Sequence, residues 1–267
     1  MSFVLVDRPV PDVAVVTLNR PERMNAMAFD VMVPLRDALA QLGQDNEVRA
    51  VVLTGAGKGF CSGADQESAG VPPGAQGVTR PTYALRAMEM LEDVVLTVRR
   101  LHQPVVAAIN GAAIGGGLCL ALACDLRIAA PAAYFRAAGI NNGLTASELG
   151  LSYFLPRAIG STRAAELMLT GRDLGAEEAE RVGLVSAVHE DVVAAAVETG
   201  RRIATFSQPG IELTKKSLQA GIAASSLETY LPSEGLGQLY LRLLTENFEE
   251  ATRARKEGRP PRFTDDR

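Results

Sequence analysis

The sequence contains little of what metal sites and disulfide frameworks require. Its 267 residues include two histidines, which lie far apart, and three cysteines, which lack the short spacing of metal ligands. Three cysteines are also an odd number, widely spaced in apolar sequence, which favours a reduced cytoplasmic protein over a disulfide-linked one. We therefore expect no bound metal and a cytoplasmic location.

Runs of positive charge are also scarce. The chain has 27 Lys and Arg against 31 Asp and Glu, a net charge of −4 at pH 7, and its basic residues cluster only in TRARKEGRPPR near the C-terminus. This distribution is unlike the basic surface of a nucleic-acid-binding protein, so we expect no nucleic-acid partner. The N-terminus lacks the basic region of a signal peptide, and we expect no targeting segment there.

One uncharged stretch is long enough to cross a membrane. It runs from Val105 to Cys124, and its twenty residues reach the length of a spanning helix. However, Asn110 and Gly111 interrupt it and three more glycines follow. A buried strand, a turn and a buried helix explain this pattern better, so we expect no membrane partner.

What the chain does have is an alternation of strand-like and helix-like segments. The apolar segments VAVVTL, RAVVLTG and PVVAAIN each precede a polar or glycine-rich break and then a helix-like stretch. This order predicts an α/β domain with a largely parallel sheet. The later part of the chain is mostly helical, so we expect a core over residues 1–200 and a helical region over residues 201–267.

Two glycine-rich turns follow strands in this pattern, in GAGKGFCSGAD and in GAAIGGGLCLALACD. Ligands of α/β proteins gather where strands end and helices begin, so we place the candidate site where the two turns meet. Neither turn has the spacing of a nucleotide-binding motif. A Pro- and Gly-rich segment, residues 68–82, follows the first turn and is predicted to be a mobile loop over the site.

The triplet Gly115, Gly116 and Gly117 has two explanations. Without Cβ atoms, a ligand oxygen can reach the peptide N–H groups. A helix starting here would add its free amides and the positive end of its dipole, which suits an oxyanion. Alternatively, the glycines allow a helix and a strand to pack closely, and the triplet alone does not separate the two explanations.

Five motifs, in the same order along the chain, resemble those of the crotonase superfamily, which includes enoyl-CoA hydratases and isomerases. They are LNRPERMNAM, LTGAGKGFCSGAD, QPVVAAINGAAIGGGLCLALACDLRIA, LPRAIGSTRAAELMLTGRDLGAEEAERVGLVSAV and RARKEGRPPRF. The resemblance implies a spiral of ββα units with a helical C-terminal region. It also implies assembly as a homotrimer or a dimer of trimers through that region.

The resemblance further implies an acyl-CoA thioester substrate and no permanently bound cofactor. The thioester carbonyl would lie between the backbone N–H groups of Ala64 and Gly116. The residues that match the coenzyme A contacts of the family are Arg23, Met24, Ala26, Asp65, Gln66 and, from the same or a neighbouring chain, Phe263.

Two glutamates that family hydratases use to activate water are replaced here. The matching positions are Cys119, two residues after the triplet, and Gly139, twenty residues further on. Losing a positioned acid–base group commonly costs about 10²–10⁴-fold in rate, which argues against ordinary two-glutamate hydration. Cys119 could act as a nucleophile near a helix start, but its apolar surroundings favour a packed thiol.

Glu148 is the remaining acid near the site, and two roles for it stay open. With a one-residue insertion it matches an acidic position of the family's dienoyl-CoA isomerases, and a single carboxylate can carry a proton between two carbons. Alternatively, Thr145-Ala-Ser-Glu148 has the spacing of a capping box at a helix start.

Three functions are therefore compatible with the sequence. The first is an enoyl-CoA hydratase/isomerase-type enzyme of fatty-acid or related acyl-CoA metabolism. The second is a Δ3,Δ2-enoyl or dienoyl-CoA isomerase that uses Glu148. The third is a non-catalytic binder of CoA thioesters, because both hydratase glutamates are absent.

Overall fold

A six-stranded sheet lies at the centre of the computed structural model, which describes residues 2–265. Its strands, in spatial order, are β1 (Val4–Val10), β2 (Val13–Leu18), β3 (Ala50–Gly55), β5 (Val105–Ile109), β7 (Leu126–Ala129) and β10 (Ala187–Val188). β1 is antiparallel to β2, and the other neighbouring strands run parallel. The predicted α/β class with a largely parallel sheet is confirmed.

A second, smaller sheet of four strands lies beside the first. Its strands, in spatial order, are β4 (Gly59–Cys61), β6 (Ala112–Ile114), β8 (Tyr134–Arg136) and β9 (Leu174–Gly175). β4, β6 and β8 run parallel, and β9 is antiparallel to β8. Each of β4, β6 and β8 directly follows a strand of the main sheet along the chain, so the chain alternates between the two sheets.

Helices follow these strand pairs and then continue alone to the C-terminal part of the chain. They are α1 (Phe29–Leu42), α2 (Arg80–Arg100), α3 (Gly116–Ala123), α4 (Leu151–Ile159), α5 (Ser161–Thr170), α6 (Ala176–Arg181), α7 (Val192–Ala204), α8 (Gln208–Ala223), α9 (Leu227–Leu244) and α10 (Asn247–Glu257). The order β3-β4-α2, β5-β6-α3, β7-β8-α4 repeats one ββα unit three times. The ββα architecture implied by the resemblance is thereby confirmed.

The main core lies between the two sheets and helices α1 to α5. Every residue of α3 is buried, which explains the absence of charge from this part of the sequence. No helix within residues 2–265 is long and apolar enough to span a membrane. The uncharged segment contains the predicted strand (β5) and helix (α3), but a second short strand, β6, lies between them, which the sequence analysis did not predict.

A smaller core lies on the other face of the main sheet, under α7. Gly200 makes this packing possible, since a Cβ there would lie 3.1 Å from Val13 side-chain atoms. The boundary expected at residue 200 falls inside α7, so this helix joins the two predicted regions. The division into a core and a trimerisation region stays a prediction.

α2 begins at Arg80, so the last three residues of the segment 68–82, which was expected to be a loop, are helical instead. In the helical C-terminal region, α9 and α10 are separate helices, because the backbone at Thr245 is extended.

Candidate active site

The two glycine-rich turns touch each other through their backbones. A Cβ on Gly63 would lie 2.7 Å from the Ile114 carbonyl oxygen and 3.4 Å from the Gly116 nitrogen. A Cβ on Gly117 would lie 2.0 Å from the Cys61 carbonyl oxygen. Gly117 is therefore required for packing, and the packing explanation of the triplet holds at this position.

Gly115 and Gly116 differ from Gly117 because side chains approach them. Gly115 precedes α3 with φ 53° and ψ −120°, a backbone conformation that only glycine adopts readily. A Cβ on Gly116 would lie 2.3 Å from Met27 Sδ and 3.4 Å from Leu149 Cδ1. These two apolar side chains flank the α3 N-terminus, and no pattern in the sequence indicated either of them.

The amides of Ala64 and Gly116 are the donors singled out from the sequence. Gly116 is the first residue of α3, so its N–H has no acceptor within the helix. Ala64 forms a parallel bridge with Met27, in which Met27 N–H donates to Gly63 O (2.7 Å) and Asp65 N–H donates to Met27 O (3.1 Å). The N–H of Ala64 consequently faces away from Met27. Within residues 2–265, neither amide donates to a protein acceptor.

A buried carboxylate fixes the turn that carries Ala64. The Asp65 side chain is fully buried and lies 2.8 Å from both the Arg20 and the Arg23 guanidinium groups. It also accepts the N–H groups of Glu67 (3.0 Å) and Ser68 (2.9 Å). The hydrogen bond from Arg23, followed by these backbone bonds, holds the pKa of Asp65 well below its ordinary value. Asp65 therefore stays ionised and keeps the turn closed.

The segment before α1 lies against this turn. Met24 and Asn25 have positive φ of 52° and 55°. Asn25 compensates for that geometry, since its side chain accepts the Arg20 N–H (2.8 Å) and donates to the Gly59 carbonyl (2.8 Å). Ala26 is buried and Gln66 is exposed. Ion pairs from Arg23 thus join two segments that are distant in sequence.

Phe263 lies in a different environment. The adjacent Arg262 donates its N–H to Glu250 (2.9 Å), and Asp265 accepts the N–H of Gln208 (3.1 Å). These bonds hold the segment of Phe263 against α8 and α10 of its own chain. They do not bring it to Arg23 or Asp65.

The Glu148 carboxyl group enters the space beside Gly115. Its Oε1 lies 3.0 Å from the position that a Cβ on Gly115 would occupy. Glu148 is half-buried, and burial raises the pKa of its carboxyl group above the ordinary value. A carboxyl group with a raised pKa suits a general base.

The capping-box alternative for Glu148 is wrong. α4 begins at Leu151 after Gly150, which has φ 85°, and Glu148 lies outside the helix. The Thr145 hydroxyl instead donates to Ser147 O (3.1 Å). The helix starts later than the motif predicts because Leu149 and Gly150 both adopt positive φ.

Both positions that hold glutamate in family hydratases contact the segment that carries Glu148. The buried Cys119 thiol donates to the Glu148 carbonyl oxygen (3.3 Å). Burial raises the pKa of Cys119 far above its ordinary range, which argues against a nucleophilic thiolate. A Cβ on Gly139 would lie 1.9 Å from the Thr145 carbonyl oxygen. Neither relation could be predicted from sequence, because residues 140–150 are irregular.

The segment over residues 68–82 is tied down at several points. Phe29 N–H donates to Ala69 O (2.8 Å), and the Tyr83 hydroxyl donates to Gly70 O (3.2 Å). Arg86 donates to Gly74 O.

Groups of acidic, His or Cys side chains suited to a metal ion are not found within residues 2–265.

Comparison with known proteins identifies the family to which the chain belongs. The sequence model of the enoyl-CoA hydratase/isomerase family matches residues 11–266. The chain is 67% identical over 268 residues to a probable enoyl-CoA hydratase, EchA12, of Mycobacterium tuberculosis, covering 100% of this chain and 94% of that protein.

Two solved structures are also similar. A probable enoyl-CoA hydratase/isomerase from Mycobacterium abscessus aligns over 100% of both chains, with 65% identity and a TM-score of 0.95. A monofunctional enoyl CoA isomerase from M. smegmatis covers 86% of this chain and 99% of its own, with 59% identity and a TM-score of 0.74. The chain therefore belongs to the enoyl-CoA hydratase/isomerase family of the crotonase superfamily.

Proposed function

We propose that this protein isomerises the double bond of an enoyl-CoA thioester. In this proposal, the amides of Ala64 and Gly116 bind the thioester carbonyl oxygen, and Glu148 is the single acid–base group. The substrate brings coenzyme A with it, and no other cofactor takes part.

The oxyanion-binding role is supported by the free amides at the meeting point of the two turns. Gly116 opens α3, so the positive end of the helix dipole adds to its N–H. Each such donor is typically worth about 3 kcal/mol to the transition state when it is preorganised and shielded from water. The Asp65 ion pairs supply that preorganisation on the Ala64 side.

The choice of isomerisation rests on one observation: within residues 2–265, Glu148 is the one carboxyl group that reaches the glycine triplet. The positions of the two hydratase glutamates, Cys119 and Gly139, instead lie against the segment that carries Glu148. Isomerisation needs one group, which takes a proton from Cα and returns it to Cγ. The electron pair of the broken C–H bond moves into a dienolate whose negative oxygen is held by the two amides. On reprotonation at Cγ, the carbonyl reforms and Glu148 becomes a carboxylate again.

Hydration remains the second candidate, because the EchA12 relative is named as a probable hydratase. Hydration must deprotonate water and protonate a carbon, which in family hydratases takes two glutamates. Glu148 alone would have to serve both steps. The relative from M. smegmatis, named as a monofunctional isomerase, supports the first candidate.

Coenzyme A is proposed to lie along Arg23, Met24, Ala26, Asp65 and Gln66. Arg23 offers its charge to the phosphates from a side chain that is one-third exposed, at 33%, while Asp65 orients it. Phe263 would contribute from its own or a neighbouring chain, as the family resemblance implies.

Assays with 3-hexenoyl-CoA and crotonyl-CoA test the proposal. We expect 3-hexenoyl-CoA to be converted to the 2-enoyl isomer and crotonyl-CoA to be hydrated slowly or not at all. Glu148→Gln should lower the isomerisation rate by about 10²–10⁴-fold, because the amide cannot take up the proton. Glu180→Gln, an exposed glutamate on α6, is the matched control and should keep full activity.

The same assays identify the alternatives. Fast hydration of crotonyl-CoA would make the protein a hydratase that works without its usual glutamate pair. Tight acyl-CoA binding without turnover would make it a non-catalytic binder. Full isomerase activity in Glu148→Gln would remove Glu148 from the mechanism.

A further inference from the structure

A cavity of about 160 Å³ lies at the C-terminal end of α3, whereas the candidate active site lies at its N-terminal end. The eight residues of α3 separate the two places by about 12 Å. Three arginines from three different elements line the cavity: Arg99 of α2, Arg127 of β7 and Arg157 of α4. None of them takes part in the proposed function.

These three guanidinium groups lack a counter-charge. Within residues 2–265, no carboxylate lies within 4.0 Å of any of them, although other Lys and Arg side chains form eighteen ion pairs. The acid that lines the cavity, Asp125, is already paired with Lys215 (2.7 Å) and accepts the Val105 N–H (2.8 Å). The cavity therefore holds a local excess of positive charge in a protein whose net charge is −4.

The arginines are held in place by contacts that leave donors free. Arg99 lies over the Phe154 ring (5.5 Å to its centroid) and Arg157 lies over the Tyr153 ring (3.8 Å). Stacking occupies the face of a guanidinium group and leaves the N–H groups at its edge available.

The side chain of Arg127 is anchored by hydrogen bonds to backbone carbonyl groups. Its Nε donates to Leu184 O (2.7 Å), and its Nη1 donates to Cys124 O (3.0 Å). Both acceptors are neutral carbonyl groups, so the positive charge is not compensated. Arg127 is partly buried, and partial removal of such a charge from water is unfavourable unless an anion accompanies it.

We propose that this cavity binds a compact, multiply charged oxyanion of phosphate size. Arginine is suited to phosphate because its fork of donors matches two oxygens at once. Three cations from three elements suit a dianion with several acceptor oxygens better than they suit a single carboxylate, which has one negative charge and two oxygens. The volume corresponds to several water molecules at about 30 Å³ each, which is enough to admit a phosphate group.

Calorimetric titration of the native, CoA-free protein with inorganic phosphate tests the site, with ionic strength held constant by chloride. We expect one site per chain with a dissociation constant below about 1 mM. Arg99→Gln and Arg157→Gln should each weaken binding at least tenfold. Arg201→Gln, which removes an exposed arginine from α7, should leave binding unchanged.

Glycerol 3-phosphate, which lacks the adenosine part of coenzyme A, distinguishes the two sources of such an anion. Tighter binding than that of phosphate would identify the phosphate monoester of a larger molecule, and weaker binding would identify free phosphate. Absence of saturable phosphate binding, or equal binding in both variants and the native protein, would overturn the proposal.

Discussion

At the scale of single residues, three positions act together around the proposed base. Glu148 reaches the space beside Gly115, and the Cys119 thiol donates to its carbonyl oxygen. Gly139 lies so close to the Thr145 carbonyl oxygen that a Cβ at position 139 would be 1.9 Å from it. The sequence indicated Glu148 as a candidate because it is the remaining acid near the turns. It could not indicate the contacts, because they depend on positive φ at Leu149 and on an irregular segment.

Cys119→Ala tests whether the thiol positions Glu148. The variant loses a hydrogen bond to the Glu148 backbone, so we expect isomerase kcat to fall several-fold, with little change in KM. Cys124→Ala is the matched control, since that thiol is also buried but donates to Leu120 O, in the last turn of α3 before it. Each variant should lose about 1 kcal/mol of unfolding free energy. Equal kcat values in the two variants would show that Cys119 only fills space.

If Glu148 is the base, as we propose, its ionisation sets the pH dependence of the reaction. Burial disfavours its carboxylate and raises the pKa in the folded protein, so the active base is lost as pH falls through that raised value. The same group binds more protons folded than unfolded between the two pKa values, so its contribution to stability decreases as pH rises through that window. We expect kcat/KM to rise with pH along one ionisation. We also expect Glu148→Gln to be at least as heat-stable as the native protein at pH 7. A flat profile below neutrality, or a clearly less stable variant, would contradict this assignment.

At the scale of elements, α8 is attached to the core chiefly by one buried cation. Lys215 is the buried residue of this helix, and its Nζ lies 2.7 Å from Asp125 Oδ2 and donates to the Gln103 carbonyl (2.8 Å). Asp125 in turn accepts the Val105 N–H, at the start of β5. The pairing of Asp125 with a lysine ninety residues later in the chain was not predictable from the local sequence pattern.

Replacing Lys215 with Met should therefore loosen α8. It leaves the Asp125 carboxylate without its cation while one hydrogen bond and partial exposure remain, so we expect a loss of about 2–3 kcal/mol in unfolding free energy. Urea titration monitored by circular dichroism measures this change. Lys216→Met, at the exposed neighbouring position, is the control and should be within about 0.5 kcal/mol of the native protein. Similar losses in both variants would mean that the pair does not anchor the helix.

At the scale of the whole molecule, the core was predictable and the C-terminal helices were not fully so. The strand β2 was predicted with its observed bounds, Val13–Leu18, and both glycine-rich turns were found in the sequence. They were predictable because strands of a parallel sheet are buried on both faces and appear in the sequence as continuous apolar runs. The C-terminal helices lack such a signature within one chain. α9 has no buried residue, and its leucines, among them Leu236 (68% exposed) and Leu243 (58%), lie on the surface.

We expect these exposed leucines to be covered by other copies of the chain, as the family resemblance implies. Light scattering should then give a mass of three or six times 28.3 kDa. Leu236→Glu combined with Leu243→Glu should produce smaller species, because each charge would be buried in the contact. Leu169→Glu, at a 75% exposed position on α5, is the control and should leave the mass unchanged. A monomeric native protein would contradict the expectation.

The close approach of Gly139 to the Thr145 carbonyl also bears on how this chain could acquire a different chemistry. A side chain at position 139 cannot be accommodated unless the neighbouring backbone moves, so grafting the two missing glutamates would disturb residues 140–150 before it created a water site. Engineering towards water addition should therefore start by redesigning the length and path of that segment. By the same reasoning, we expect evolution between isomerisation and hydration to proceed first through insertions or deletions in residues 140–150 and then through point substitutions.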